Sequence, residues 1–371
     1  MDILPYLKVM VEKDASDLFF SVGAPVNIKI EGRIAPLGTD PLPQGSVRKL
    51  AESVLSDTQL QEFDRTLEMN LAITREPLGR FRINLYRQRG EVAMVVRYLR
   101  SRIPSIEELN LPSILKELVM QPRGLILVVG STGSGKSTTL ASMIDYRNQN
   151  LNGHILTIED PIEYMHTHRK SIVDQREIGI DTLSYANALK NAMREAPDII
   201  LIGEIRDRET MQSAIAYADT GHLCLSTLHS NNANQTMDRI INFFPETAHQ
   251  QLHTDLAQNL KAIISQRLVI GIDNKRLPAM EIMISSPYVA ELIQKGEVDH
   301  IRDAMQQSEG EGMQTFDESL FDLYQRGLIS EEEALRNAES RNNLGLKIRL
   351  NRDEAEPLDS QLSIDSDQLD G

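Results

Sequence analysis

The chain has 371 residues, with 39 Lys and Arg against 54 Asp and Glu, for a net charge of −15. At ~150 residues per domain that length accommodates two or three domains, and the acidic surplus argues against a general nucleic-acid binder, which needs a basic face. The one cysteine, Cys224, excludes an intrachain disulfide framework and a multi-cysteine zinc site, and it points to a reducing, cytoplasmic address. No apolar run approaches the ~18 residues that span a bilayer. The start Met1-Asp2-Ile3-Leu4-Pro5 lacks the basic and long apolar stretches of a signal peptide. Membrane association is therefore expected through a partner or a surface, without insertion.

Residues 1–104 carry net +2 and the remainder −17. The two regions meet at Ser101-Arg102-Ile103-Pro104-Ser105, a polar, proline-bearing stretch suited to a linker. In the first region, Leu18–Gly23 and Val26–Ile30 read as strands, and Val47 to Phe63 has helical spacing. Arg80–Tyr86 and Val92–Leu99 alternate as strands, joined by the turn signal Gln88-Arg89-Gly90-Glu91. This is a small α+β domain.

Beyond the linker, strand and helix patterns alternate. The apolar runs Leu125–Val129, Ile155–Ile158, Ile199–Ile202 and Leu223–Leu225 have the character of buried parallel strands. A helix is expected over Tyr185–Met193 after Ser184. A further helix is expected over Ala248–Leu268, where Leu252, Leu256, Leu260, Ile263 and Ile264 recur at helical spacing. The pattern predicts an α/β domain with a mainly parallel sheet. Residues 347–371 hold 3 basic and 7 acidic side chains and no aromatics, the composition of a disordered acidic tail.

The strongest chemical signal is Gly130-Ser131-Thr132-Gly133-Ser134-Gly135-Lys136-Ser137, with Thr138 next. It fits the phosphate-binding loop G-x-x-x-x-G-K-[S/T], with an apolar strand before it and a helical stretch after it. The glycines let backbone N–H groups wrap phosphates at a helix N-terminus. Lys136 is expected to bridge β- and γ-phosphates and Ser137 to hold Mg²⁺.

The next strand ends Ile158-Glu159-Asp160-Pro161-Ile162-Glu163, which puts three carboxylates where α/β sheets place their ligands. Glu163, farthest out, is the candidate to orient or deprotonate water; a solvated acidic loop is the plainer reading. The strand Ile199–Ile202 runs into Gly203-Glu204-Ile205-Arg206-Asp207 and resembles a Walker B strand with Glu204 in the place of Asp. Otherwise Glu204 simply pairs with Arg206 or Arg208. His222 and His229 flank the strand Leu223–Thr227, as structural hydrogen-bonding groups or as one sensor of the γ-phosphate. Eight arginines lie between residues 75 and 102, at 75, 80, 82, 87, 89, 97, 100 and 102. They read as fingers for a neighbouring subunit's nucleotide, as a nucleic-acid surface poor in stacking partners, or as a solvated face.

Taken together, the phosphate loop, the carboxylate box ending at Glu163, the glutamate-ended strand at Glu204 and the box from Thr220-Gly221-His222 to His229 resemble the secretion-type traffic ATPases of the P-loop class. The resemblance covers residues from about 5 to 345. It implies a PAS-like N-terminal domain (1–100), a linker (101–112), a RecA-like ATPase domain (113–345) and the acidic tail (346–371). It also implies a homohexamer that binds ATP and Mg²⁺, the metal held by Ser137 and, through water, by Glu204. In that family Glu163 is the catalytic carboxylate, His229 belongs to the active site, and Arg82 and Arg97 match the arginines that act in trans.

Pilus extension and type II secretion ATPases are longer and carry a four-cysteine zinc motif. This chain is instead similar to the type IV pilus retraction ATPases, the PilT and PilU branch. Where PilT has A-I-R-N-L-I-R-E, the chain reads Tyr288-Val289-Ala290-Glu291-Leu292-Ile293-Gln294-Lys295. That departure and the acidic tail make PilU the closer match. The expected function is ATP hydrolysis driving pilus retraction and twitching at the cytoplasmic, inner-membrane base of the pilus machine. The expected partners are a PilT-like ATPase and an inner-membrane platform protein, with no nucleic acid. The alternative is a regulatory nucleotide-binding ring with little hydrolysis.

Overall fold

The computed structural model describes residues 2–30, 32–99, 102–307 and 312–355, with side chains to 351. Arg100 and the tail from residue 356 lie outside the described residues. The chain runs α1 (Leu4–Glu12), β1 (Asp17–Phe20), β2 (Asn27–Ile30), β3 (Arg33–Pro36), α2 (Ser46–Glu52), α3 (Asp57–Thr66), β4 (Glu68–Arg75), β5 (Gly79–Gln88) and β6 (Glu91–Leu99). It continues through α4 (Ile114–Val119), β7 (Gly124–Val129), α5 (Lys136–Asn150), β8 (Gly153–Glu159), β9 (Ser171–Glu177), α6 (Tyr185–Ala192), β10 (Ile199–Ile202), α7 (Arg208–Asp219) and β11 (Leu223–Leu228). Last come α8 (Ala233–Asn242), α9 (His249–Asn259), β12 (Leu260–Ile270), β13 (Arg276–Ile284), α10 (Pro287–Lys295), α11 (Ile301–Gln307), α12 (Phe316–Gln325), α13 (Glu331–Asn337) and α14 (Arg341–Ala355).

The strands form two sheets, ordered β3-β2-β1-β6-β5-β4 and β13-β12-β7-β11-β10-β8-β9. Among the described residues, those within 2–106, 115–124 and 137–226 make one compact unit, and those within 107–114, 125–136 and 227–355 make a second.

In the first unit the N-terminal sheet is antiparallel throughout. Strand alternation sends Phe81, Ile83 and Leu85 inward, and they pack with Leu7, Met10, Val47, Leu50 and Phe63 from the helices. Arg80, Arg82 and Asn84 take the opposite face. The β5–β6 hairpin turns at Arg89 and Gly90, with φ of 50° and 81°. Two successive positive φ values match the right-handed twist of the strands they join. The helical stretch expected from Val47 to Phe63 is two helices. Ser56 caps α3 by accepting from the Gln59 N–H, and the Gln59 side chain bonds back to the Ser56 N–H; this capping box starts a new helix where the apolar spacing alone runs on.

Strands β8, β9, β10 and β11 pair in parallel within the first unit. Every residue of β10 and β11 is buried, as in a sheet covered on both faces. In the second unit β12 runs parallel to β7 and antiparallel to β13. The helix expected to reach Leu268 stops at Asn259, and Leu260–Ile270 is strand β12. The β-branched pair Ile263-Ile264 favours the pleated conformation, and burial on both faces erases the alternation that would have marked a strand.

The segment read as a tail from residue 346 also departs from expectation. Its first ten residues complete α14, and Ile348, with Leu344 one turn earlier, packs against Leu320, Phe321, Leu323 and Ala334. The acidic composition of the C-terminal residues hides this i, i+4 apolar pair. No helix among the described residues is long and apolar enough to cross a membrane.

Candidate functional site

Within the second unit, β7 ends at Val129 and the loop Gly130–Gly135 turns into the start of α5 at Lys136. Gly130 and Gly135 have φ of 152° and 89°, and a side chain at either would overlap neighbours. At Gly130 a Cβ would strike the Gln266 carbonyl and the Ser134 hydroxyl; at Gly135 it would lie 2.7 Å from Gln266 Nε2. A Cβ at Gly133 would meet nothing, so that glycine serves its φ of 79° alone.

Lys136 is buried. Its ammonium donates to the carbonyls of Gly130 (2.8 Å) and Ser131 (2.9 Å), which stretches it across the loop. Ser131, Thr132 and Gly133 form the exposed tip. The Ser134 hydroxyl is buried without a hydrogen-bond partner, a cost that an incoming acceptor would relieve. A cradle that tolerates no side chain, a fixed ammonium and an orphaned hydroxyl fit the phosphates of a nucleotide.

In the first unit, Thr138 on α5 shares a hydrogen bond with the Tyr164 hydroxyl at 2.9 Å, which gives this expected nucleotide contact a protein partner. Ser137 is half-buried on the first turn of the same helix. Parallel pairing of β8 and β10 brings Glu159 and Gly203 out at the same end of the sheet, and Glu163 and Glu204 lie in the loops that follow those strands.

Glu163 is exposed. Glu159, four residues earlier, is held by Thr157 Oγ1 (2.6 Å) and Gln175 Nε2 (3.3 Å). Burial pushes its carboxyl up to about 7 against those two bonds. Glu204 is paired with Arg206, whose Nη2 and Nε lie 2.7 and 2.8 Å from one carboxylate oxygen. Arg206 in turn faces Asp160 at 3.8 Å, and its pKa is raised, first by the hydrogen bond to Glu204. The adjoining Gly203 is required: a Cβ there would come within 2.9 Å of the Tyr185 hydroxyl and 3.2 Å of Glu159 Cα.

The two histidines separate. His222 precedes β11, its Nδ1 lying 3.2 Å from the Thr220 hydroxyl and 3.2 Å from the Tyr217 carbonyl. His229 follows β11 in the second unit, at the other end of a strand about 20 Å long. Cys224 is wholly buried in β11, and burial raises its thiol pKa; it is an apolar filler there.

Arg82 and Arg97 are direct partners across β5 and β6, and each has a carboxylate in its own chain. Arg97 Nε lies 2.8 Å from Asp17 Oδ1. Arg82 Nη1 lies 3.7 Å from Glu177 Oε1, and the Glu177 side chain has no exposed surface. The other Glu177 oxygen accepts the Ile162 N–H at 3.4 Å, beside Glu163. Burial raises the Glu177 pKa and Arg82 opposes that rise.

Gln266, Glu177 and Gln175 escape sequence reasoning, because their partners lie far away along the chain. The one available signal was polarity inside an apolar run, Ser265-Gln266 after Ile263-Ile264. Buried polar residues of that kind need a specific partner.

Residues 64–335 match the family model described as type II/IV secretion system protein. The type IV pilus ATPase PilU of Pseudomonas aeruginosa is 50% identical over 351 residues, covering 94% of this chain and 92% of that protein. The type IV pilus retraction ATPase PilT of the same organism is 41% identical, covering 90% and 97%. The crystal structure of the pilus retraction motor PilT with bound ADP superposes with a TM-score of 0.86 at 42% identity, covering 93% of this chain and 99% of that one. The antiparallel N-terminal sheet domain and the largely parallel RecA-like sheet are those of a secretion ATPase. The chain belongs to the type II/IV secretion system protein family, in the branch that holds the pilus ATPases PilU and PilT.

Proposed function

We propose that this protein is a hexameric ATPase that drives type IV pilus retraction and twitching. The observation that carries the chemistry is the loop Gly130–Lys136, with its buried ammonium and its unpartnered Ser134 hydroxyl. Likeness to PilU and PilT along nearly the whole chain carries the biology.

In this reading, Lys136 neutralises charge on the β- and γ-phosphates, and backbone N–H groups of the loop hold them. Mg²⁺ would neutralise charge on the same phosphates, and Ser137 would hold it, with Glu204 acting through water. Glu163 accepts the proton of the attacking water. Release of Glu204 from Arg206 frees its carboxylate for this work. His229 follows the buried strand β11 as a further polar group of the site. Arg82 and Arg97 act on a neighbour's nucleotide once assembly exchanges their intrachain carboxylates.

The residues 1–100, 101–112 and 113–345 are assigned as PAS-like domain, linker and RecA-like domain. The ring works at the cytoplasmic face of the inner membrane, against the pilus platform protein and beside a PilT-like ring on which its retraction depends. Glu291 and the lost A-I-R-N half on α10 support that dependence, since a charge change alters pairing with a charged partner.

Phosphate release and twitching test the reading together. Glu163→Gln should bind nucleotide yet lose hydrolysis by at least ~10²-fold, and Lys136→Ala should lose both. Neither variant should restore twitching to a deletion strain. Normal turnover in folded Lys136→Ala protein would end the assignment. Twitching restored by Glu163→Gln would favour the regulatory ring.

A further inference from the structure

The phosphate loop rests on a side chain that is remote in sequence. Ser265 of β12 pairs with Val129 of β7, the residue before Gly130, so Gln266 sits level with the first turn of the loop. It is buried, and its Nε2 donates to the Ser134 carbonyl at 2.8 Å. Its backbone carbonyl occupies the space a Gly130 side chain would need, and its amide occupies that of Gly135. Gln266 therefore crowds both glycines, at Gly130 through its backbone together with the Ser134 hydroxyl and at Gly135 through its side-chain amide.

We infer that Gln266 is a positioning residue for nucleotide: it orients the Gly135 N–H toward the phosphates by holding the Ser134 carbonyl. The physics is that of one peptide plane. In a trans peptide the C=O and the next N–H point in opposite directions. A hydrogen bond that draws the Ser134 carbonyl toward β12 turns the Gly135 N–H away from β12 and into the loop. The same anchor sets where the Ser134 hydroxyl and Lys136 stand on either side of that peptide. Without the anchor the Ser134–Gly135 plane is free to rotate, because glycine permits it, and the donor is lost to part of the population. Binding then carries the cost of selecting the competent fraction. Neighbouring side chains are engaged elsewhere: Ser265 donates to the buried Glu281 at 3.1 Å, and Arg267 covers Phe316 at 3.9 Å.

This inference rests on the nucleotide reading of the loop. The test is titration of a fluorescent ADP into full-length wild type, Lys136→Ala, Gln266→Met and Gln266→Glu, with melting curves of each. Gln266→Met keeps length and volume but has no donor. It should bind ADP five- to tenfold more weakly, the scale of one lost hydrogen bond, while its folded fraction is unchanged. Gln266→Glu should bind more weakly still at about pH 8, where a carboxylate beneath the loop repels phosphate. Its affinity relative to wild type should recover toward about pH 5.5, because the protonated acid offers an O–H to the Ser134 carbonyl. A merely structural role would not produce that recovery, and the pH series decides the matter even if Gln266→Met fails to fold. Wild-type affinity at about pH 8 in either folded variant, no recovery of Gln266→Glu toward about pH 5.5, or lower melting with unchanged affinity, would overturn the inference. Wild-type affinity in Lys136→Ala would instead overturn the nucleotide reading beneath it.

Discussion

Glu159 and Glu163 lie four residues apart and differ in everything that governs a carboxylate's work. Glu163 is in solvent. Glu159 is raised to about 7 by burial, although Thr157 and Gln175 hydrogen-bond to its charged form. The folded carboxyl thus binds its proton more tightly than the unfolded one. Its stabilising contribution is complete below its ordinary value of 4.5 and is lost as pH rises through about 7. Glu159→Gln, permanently neutral, should retain that contribution. Thermal melting of nucleotide-free protein should show the variant more stable than wild type at about pH 8, by up to ~3 kcal/mol. The gap should close toward about pH 5; a constant gap would mean that Glu159 does not titrate in this range. The motif positions Lys136 and Glu204 were readable in sequence because strand, loop and helix follow one another directly, and Glu163 because a run of carboxylates follows the apolar strand β8. The unequal character of Glu159 was not, because it depends on burial in the folded chain, which the run Glu159-Asp160 does not announce.

The element that most changes the reading of the chain is α14. Leu344 and Ile348 are buried on one side, while Leu346 and Leu350 are 58% and 56% exposed. Composition alone assigned residues 346–355 to a tail; the packing surface supplied by α12 and α13 makes them a helix. Ile348→Ala should cost about 2–4 kcal/mol, as buried Ile truncations do, and truncation after Leu346 should lower the melting temperature at least as much. An unchanged melting curve after truncation would show that α14 contributes nothing to the second unit. A similar physical reason underlies the misread β12. Hydrophobic periodicity reports which faces are buried, and for a strand covered on both sides it gives no period at all. The legible elements were of two kinds: those with an outside, such as the N-terminal hairpin β5–β6 and the capped helix α6, whose Ser184 accepts the Asn187 N–H, and the wholly buried strands β7, β10 and β11, whose short unbroken apolar runs mark them without any period.

For the assembled molecule, the arginines of the N-terminal sheet carry the sharpest expectation. Rings mixed from Arg97→Ala and Lys136→Ala subunits should recover part of the hydrolysis that each variant lacks alone, at interfaces where an intact loop meets an intact arginine. No recovery in verified mixed rings would remove Arg97 from action in trans. Arg82 is more constrained, because Glu177 stands between it and the backbone of the carboxylate box: one oxygen faces the guanidinium and the other holds the Ile162 N–H. An isolated buried charge is costly, so Arg82 cannot leave without unsettling the peptide next to Glu163. If Arg82 acts in trans as proposed, a subunit that lends it to a neighbour alters the loop that carries its own Glu163. Arg82→Ala and Glu177→Gln should then change kcat alike, and the double variant should change it no further. Additive losses would mean two independent effects. If the pair behaves as one unit, each ring interface carries a message in both directions, and the order in which subunits fire is written into a single ion pair.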